Sequence, residues 1–327
     1  MKKIVVLGDG AWGTALAIVL RRAGHAVAIW SKFPDYAAEV RAKRENVKFL
    51  PGAPLPEGVD VVSGAPPKAD AYVAAVPTQF IRPTFTELTP YLPKKAVIVC
   101  VAKGLEQSTG RRPTEILREV LGRVRLVVLS GPSHAPEVAR GLPASVVAAG
   151  EPRAAKAAQD LFKGSTVRVY TSRDALGVEL AGALKNVIAL AGGIADGFGL
   201  GHNAKAALLT RGIVEIARLG AALGARKQTF FGLSGIGDLI TTTTFPTGRN
   251  LSVGRALGEG KKLEEILAGM NSVAEGVWTA KAALALGRRH GVDLPITGEV
   301  HAILFEGKSP KDALRDLMAR GARAEED

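Results

Sequence analysis

Lys3-Ile-Val-Val-Leu7 is an almost wholly apolar run that leads straight into Gly8-Asp9-Gly10-Ala11-Trp12-Gly13 and then an Ala/Leu-rich stretch. A short strand, a G-x-G-x-x-G loop and a helix, in that order, open a dinucleotide-binding βαβ unit. Each glycine has a physical task. Gly8 permits the tight turn, Gly10 lets the backbone approach a pyrophosphate, and Gly13 lets the helix pack closely on the strand. The phosphates are then expected on free N–H groups at the helix N-terminus, around Ala11 and Trp12. Such a unit joins parallel neighbours, so this segment commits the first half of the chain to a parallel sheet.

The rest of that half fits. Apolar runs at Ala26–Trp30, Ala71–Val76, Ala96–Val101, Leu126–Leu129, Ser145–Ala149 and Thr166–Tyr170 predict further strands. Trp12–Ala23, Asp35–Arg44, Thr114–Leu121 and Ala154–Phe162 predict helices between them. Strands apolar throughout, alternating with helices, imply a parallel sheet covered on both faces. Beyond about Asp174 the strand signal stops. Helical periodicity predicts helices at Asp174–Asp196, Asn203–Leu223, Leu251–Leu257, Leu263–Ala268, Val277–His290, Gly298–Phe305 and Pro310–Met318. The expectation is an α/β, doubly wound, Rossmann-like domain over residues 1–172 and an all-α domain over 173–327.

Composition narrows the class. The chain has 327 residues, 47% of them hydrophobic, which suits a two-domain globular protein. Lys and Arg total 43 against 31 acids, a formal charge of +12 that favours anionic partners. The basic residues are scattered pairs, and aromatics are only 5%, so no nucleic-acid module is expected. The one cysteine, Cys100, lies in an apolar run and reads as core, which points to a reducing, cytoplasmic compartment. The four-residue apolar run at the N-terminus is too short for a signal peptide, and no uninterrupted stretch reaches membrane-span length, so no stable membrane insertion is expected.

The chemistry is expected at Lys185. From Leu180 to Ala195 every residue except Lys185 and Asn186 is apolar or Gly. Burying an ammonium is costly, and partial desolvation lowers its pKa, which suits a proton-transferring lysine. A snorkelling helix-edge lysine is the ordinary explanation, but a dinucleotide loop elsewhere in the chain makes a proton partner for hydride transfer the better one. The runs Ala74–Phe80, Val101–Glu106 and Leu129–Ala135 each end a strand in a polar, small-residue turn, and ligands of open parallel sheets bind beyond such ends. After the second strand, where an acid usually grips the ribose hydroxyls, stand Ser31 and Lys32. A hydroxyl and a cation suit a 2′-phosphate, so NADP or NAD is expected, with NADP favoured. No metal is expected, because no His/Cys/Asp cluster has ligand spacing.

Taken together, Gly8–Ala17, Ala75-Val-Pro-Thr-Gln79, Lys103-Gly-Leu-Glu106, Gly131-Pro-Ser133, Leu184-Lys-Asn186, Gly193-Ile-Ala-Asp-Gly197, Asn203–Leu208, Gly232–Asp238 and Arg249-Asn250 closely resemble the bacterial NAD(P)-dependent glycerol-3-phosphate dehydrogenases over nearly the whole chain. The resemblance implies interconversion of dihydroxyacetone phosphate and sn-glycerol 3-phosphate, a phospholipid precursor, in a cleft between the two domains. It implies Lys185 as general acid/base, with Lys103, also counted as catalytic, contacting substrate and cofactor. Asp238 and Thr242 become substrate-hydroxyl and lysine-orienting groups, with Asp238 counted as catalytic. Arg249 and Asn250 become the phosphate grip at a helix start read at Thr247-Gly248. Gly131 and Ser133 line the substrate crevice. Pro77, Lys103, Ala135, Arg249, Val273 and Glu275 join Gly8, Gly10, Ala11, Trp12, Gly13, Ser31 and Lys32 as cofactor contacts.

The chain departs from the commoner pattern at four places. Asp9 stands where alanine is frequent, His134 where phenylalanine is usual, and His202 where an acid is frequent. Gly248 replaces a substrate-contacting serine, so its backbone N–H is expected to substitute for the hydroxyl. Both histidines are read as structural. The runner-up activity is a related lysine-dependent 3-hydroxyacid or hydroxyacyl-CoA dehydrogenase. A non-enzymatic nucleotide sensor or nucleic-acid binder is the other class considered. The Ala/Gly-rich helices of the second domain suggest a homodimer.

Overall fold

The computed structural model describes residues 1–94, 96–246, 248–270, 273–321 and 324–325. Strand and helix alternate through the first half: β1 (Lys3–Leu7), α1 (Ala11–Arg22), β2 (Ala26–Trp30), α2 (Pro34–Lys43), β3 (Val59–Val62), β4 (Ala71–Ala74), α3 (Thr78–Leu88), β5 (Val97–Cys100), α4 (Pro113–Leu121), β6 (Arg125–Ser130), α5 (Ala135–Arg140), β7 (Ala144–Gly150), α6 (Pro152–Asp160) and β8 (Val167–Ser172). The second half is helical: α7 (Ala175–Gly197), α8 (Gly201–Ala222), α9 (Lys227–Phe230), α10 (Asp238–Thr244), α11 (Arg249–Gly258), α12 (Leu263–Ala268), α13 (Glu275–Arg289), α14 (Pro295–Phe305) and α15 (Pro310–Met318).

The eight strands form one sheet in the order β3-β2-β1-β4-β5-β6-β7-β8. Pairing is parallel from β3 through β6, and the order reverses beside β1, where the glycine loop leaves the sheet. Alternate residues of β1 explain the two-sided burial. Ile4 and Val6 pack on one face with Leu16, Val27 and Val73, while Val5 and Leu7 pack on the other with Tyr72, Phe85 and Ile98.

The sheet is not wholly parallel as the apolar runs suggest: β7 lies antiparallel to β6, and β8 follows β7 in parallel. Helix α5 has six residues, about 9 Å of rise, whereas β6 spans about 20 Å. So short a helix cannot return the chain to the other end of the sheet, and the next strand leaves from the same end. Five elements lie outside the predicted runs: β3, α3 and the short helices α5, α9 and α10. Strand β3 has four residues at the sheet edge, with Asp60 exposed. The segment after Pro77, read as a proline turn, is the helix α3, with Pro77 as its N-cap and Pro83 inside it.

Helix α7 is the axis of the second half. It has the length and apolarity of a membrane span, but all but its ends are buried inside the protein, against α8, α10, α11, α13 and α14. Its crossing with α11 is unusually close, because glycines face glycines. A Cβ on Gly193 would fall 2.3 Å from Leu251 O, and one on Gly254 would fall 2.2 Å from Leu190 O. Gly197 and Gly258, one turn further along, repeat the arrangement. This crossing brings the N-terminus of α11 alongside the middle of α7.

Candidate active site

Lys185 projects from the middle of α7 and is 5% exposed. It donates to Thr242 Oγ1, and its Nζ lies 3.2 Å from Asp238 Oδ1. Burial is the main reason its pKa falls, to about 8; the Lys103 and Arg249 cations add to the fall and Asp238 opposes it. A short π-turn at Leu233–Gly237 leads into α10, so Asp238 and Thr242 face Lys185 one turn apart.

Lys103 comes from the other direction, out of the turn after β5. Its Nζ donates to Gly131 O at 2.9 Å, to Ser133 Oγ at 2.7 Å and to Asp238 Oδ2 at 2.8 Å. One buried carboxylate therefore sits between two ammonium groups, one delivered by a strand end and one by α7. Asn186 fixes the two sides together. Its Nδ2 donates to Lys103 O at 2.8 Å, and its Oδ1 accepts from Asn250 Nδ2 at 2.9 Å.

Of the residues expected to grip the phosphate, two have their polar groups turned to other partners. Gly248 is the N-cap of α11, but its N–H donates to Phe245 O at 3.0 Å, so it cannot replace a serine hydroxyl. A Cβ there would come 2.9 Å from Thr242 O, so a larger residue requires the local backbone to shift. The Asn250 side chain is likewise committed, to Asn186 and to the Gly276 N–H at 3.0 Å. What faces outward is the first turn of α11, with backbone N–H groups at Arg249 and Asn250, and the Arg249 guanidinium, held by Val273 O at 3.0 Å. Thr247 lies outside the described residues.

The glycine loop fits a dinucleotide. Gly8 has φ +119°, and a Cβ there would sit 2.7 Å from Ala75 O. A Cβ on Gly13 would strike Gly8 O at 2.4 Å, so this residue sets how closely α1 approaches the strand. Around Gly10 nothing lies within 4 Å of a Cβ position, and no side chain caps α1, which leaves the Ala11 and Trp12 N–H groups open to an anion. Glu275, at the start of α13, reaches across the cleft and accepts from Thr78 N at 2.8 Å beside Pro77. Its other oxygen, and the buried Trp12 indole N–H, have no partner among the described residues. Ala135 begins α5 behind Ser133 and is nearly buried.

At the far end of the cofactor groove the two expected selectors are occupied. Ser31 is fully buried and donates to Asp9 Oδ2 at 2.5 Å. Lys32 is paired with Glu87 at 2.9 Å. His134, read as structural, has its ring tilted at 45° against Phe245 with centroids 3.6 Å apart, which joins the Ser133 turn to the segment before α11. Sequence reasoning gave no role to Asn186 or Thr78. For Asn186 the signal was present: an amide beside Lys185 in an otherwise apolar helix needs a buried partner.

Two family models match the chain. One describes the N-terminus of NAD-dependent glycerol-3-phosphate dehydrogenase, over residues 3–156, and the other its C-terminus, over 174–315. The chain is similar to the glycerol-3-phosphate dehydrogenase [NAD(P)+] of Koribacter versatilis, at 48% identity covering 99% of both sequences. It is also similar to that of Bacillus subtilis, at 47% identity covering 98% of this chain and 95% of the relative. Among solved structures, the glycerol-3-phosphate dehydrogenase of Coxiella burnetii matches with a TM-score of 0.93 at 37% identity, covering 98% of this chain and 99% of that one. A ketopantoate reductase from Ralstonia eutropha, at 17% identity and a TM-score of 0.62 over 95% of this chain and 99% of that one, shares the fold.

Proposed function

The chain belongs to the NAD-dependent glycerol-3-phosphate dehydrogenase family, and from that premise we propose how its residues convert dihydroxyacetone phosphate and NAD(P)H into sn-glycerol 3-phosphate and NAD(P)+. The 3-hydroxyacid and hydroxyacyl-CoA alternatives are not favoured, since relatives near 48% identity over the full length carry the glycerol-3-phosphate dehydrogenase name. The nicotinamide, when bound, supplies or accepts the hydride. Gly8, Gly10, Ala11, Trp12 and Gly13 hold the pyrophosphate, and Pro77, Ala135, Val273 and Glu275 border the nicotinamide end.

Lys185 donates its proton to the C2 oxygen as the carbonyl is reduced, and takes it back in the reverse direction. A buried amine with a pKa near 8 exchanges that proton readily near neutral pH. Thr242 and Asp238 aim it. Lys103 holds the substrate from the side of Gly131 and Ser133, and neutralises Asp238 together with Lys185. Arg249 and the open N–H groups of α11 take the phosphate, where a guanidinium fork and a helix N-terminus act together.

The observation that carries this reading is the buried Lys185–Asp238–Lys103 triad beside an uncapped helix N-terminus. The test follows the reduced-nicotinamide absorbance with dihydroxyacetone phosphate, once with NADH and once with NADPH. Oxidation that depends on the phosphorylated ketone supports it. Turnover of β-keto acids with none of dihydroxyacetone phosphate refutes it.

We place the division between cofactor and substrate domains at residues 172 and 173, between the end of β8 and Asp174, the N-cap of α7. A cytoplasmic location and a homodimer are part of the proposal. The dimer is supported by the exposed small residues Ala204 and Ala207, which share one face of α8, and analytical ultracentrifugation tests it.

A further inference from the structure

We propose that Asp9 selects the cofactor: its carboxylate binds the adenosine ribose hydroxyls and excludes a 2′-phosphate, so that the enzyme prefers NADH over NADPH. The proposal rests on the dehydrogenase reading above and concerns the opposite end of the same cofactor.

In dinucleotide-binding folds the acid that recognises the ribose stands at the end of the second strand. Here that place holds Ser31, and the chain has no acid at residues 31–34. The carboxylate arrives from a different strand. Asp9, in the loop after β1, lies beside the end of β2 because Gly8 N donates to Trp30 O at 3.0 Å. Asp9 Oδ2 accepts from Ser31 Oγ at 2.5 Å, and Ser31 Oγ also accepts from Phe33 N at 3.2 Å. Ser31 thus holds the carboxylate at the β2 end. Oδ1 has no hydrogen-bond partner among the described residues.

The mounting is stiff. Asp9 O accepts from Asn46 Nδ2 at 2.6 Å, and Asn46 Oδ1 accepts from Tyr36 OH at 2.5 Å. The Tyr36 phenol is pushed up to about 12, first by burial and then by the Asp9 charge, so the Asp9 field reaches across this pocket.

The competing cation is weaker in kind. Lys32 is exposed and already paired with Glu87 at 2.9 Å. Exposed charges are screened by water and salt, whereas a half-buried, anchored carboxylate next to the ribose is not. A ribose diol can donate to it. A phosphate ester at the same oxygen brings a second negative charge into contact, which is strongly unfavourable.

The test measures Kd for NADH and NADPH directly by fluorescence titration, and kcat/KM for each with dihydroxyacetone phosphate, in the wild type, Asp9→Asn and Asp9→Ala. Asp9→Asn keeps an oxygen for Ser31 and removes the charge, so it guards against loss of the fold. The wild type is expected to bind NADH more tightly. Both variants are expected to shift the Kd ratio toward NADPH by about tenfold or more, while Lys32→Ala moves it by less than about threefold. A wild type that prefers NADPH, or a ratio that stays put in both Asp9 variants, overturns the proposal. Absence of turnover with either cofactor while both still bind points instead to failure of the dehydrogenase reading.

Discussion

Lys185 illustrates how one residue acquires a chemical task from its surroundings. An exposed lysine stays protonated far above neutral pH, whereas burial in α7 brings this one down to about 8. The direction of the pH dependence follows. With Lys185 as the proposed acid/base, reduction of the ketone needs its ammonium form, so the rate is expected to fall as pH rises through about 8. Oxidation of the alcohol needs the free amine, so its rate climbs over the same interval. Opposite slopes in the two directions are the expected result of pH–rate profiles. Lys185→Ala is expected to cut kcat by about 100- to 10,000-fold, the usual loss of a general acid/base, and single-turnover measurements check it. Arg249→Ala tests the proposed phosphate grip. It is expected to raise KM for dihydroxyacetone phosphate by about 10- to 100-fold, the value of a charge-assisted hydrogen bond, with a smaller effect on kcat. Lys185 was legible because a charge in an apolar helix demands a reason. The commitment of the Asn250 amide to Asn186 and Gly276 was not, because an asparagine shows no partner along the chain.

At the scale of elements, the α7–α11 crossing decides the geometry of the site. Gly193 and Gly197 meet Gly254 and Gly258 where a Cβ would collide with backbone. Gly254→Ala is therefore expected to destabilise the fold by about 3 kcal/mol or more, the upper range for overpacking. It should also raise KM for the phosphorylated substrate, since α11 is pushed away from α7. Thermal unfolding and steady-state kinetics on the same sample check both. Most elements were visible from periodicity, and α12 and α15 fall where the pattern puts them. β3, α3 and the short helices α5, α9 and α10 escaped it. A four-residue edge strand shows too few alternations, and two prolines mask a helix whose N-terminus is capped from across the molecule by Glu275.

Across the whole molecule, buried carboxylates on the helical side hold helix N-termini on the sheet side. Glu275 accepts from Thr78 at the start of α3, and Glu179 accepts from Thr114 N, Thr114 Oγ1 and Arg112 at the start of α4. Removing one partner of such an arrangement leaves donors buried and unpaired. Glu179→Ala is expected to cost roughly 3 kcal/mol of stability, with Glu179→Gln recovering part of it, as read by denaturant unfolding. The sequence by itself determined the dinucleotide loop, the alternation that builds the sheet, the helical second half and the lysine, because each is a local pattern of polarity and backbone freedom. Only the tertiary structure decided that the Gly248 N–H and the Asn250 side chain are committed inside the protein, that β7 turns antiparallel, and that Asp9 is held against Ser31 at the end of β2. Those outcomes depend on distances between residues far apart in the chain, and hydrogen-bond partners are chosen by distance rather than by order.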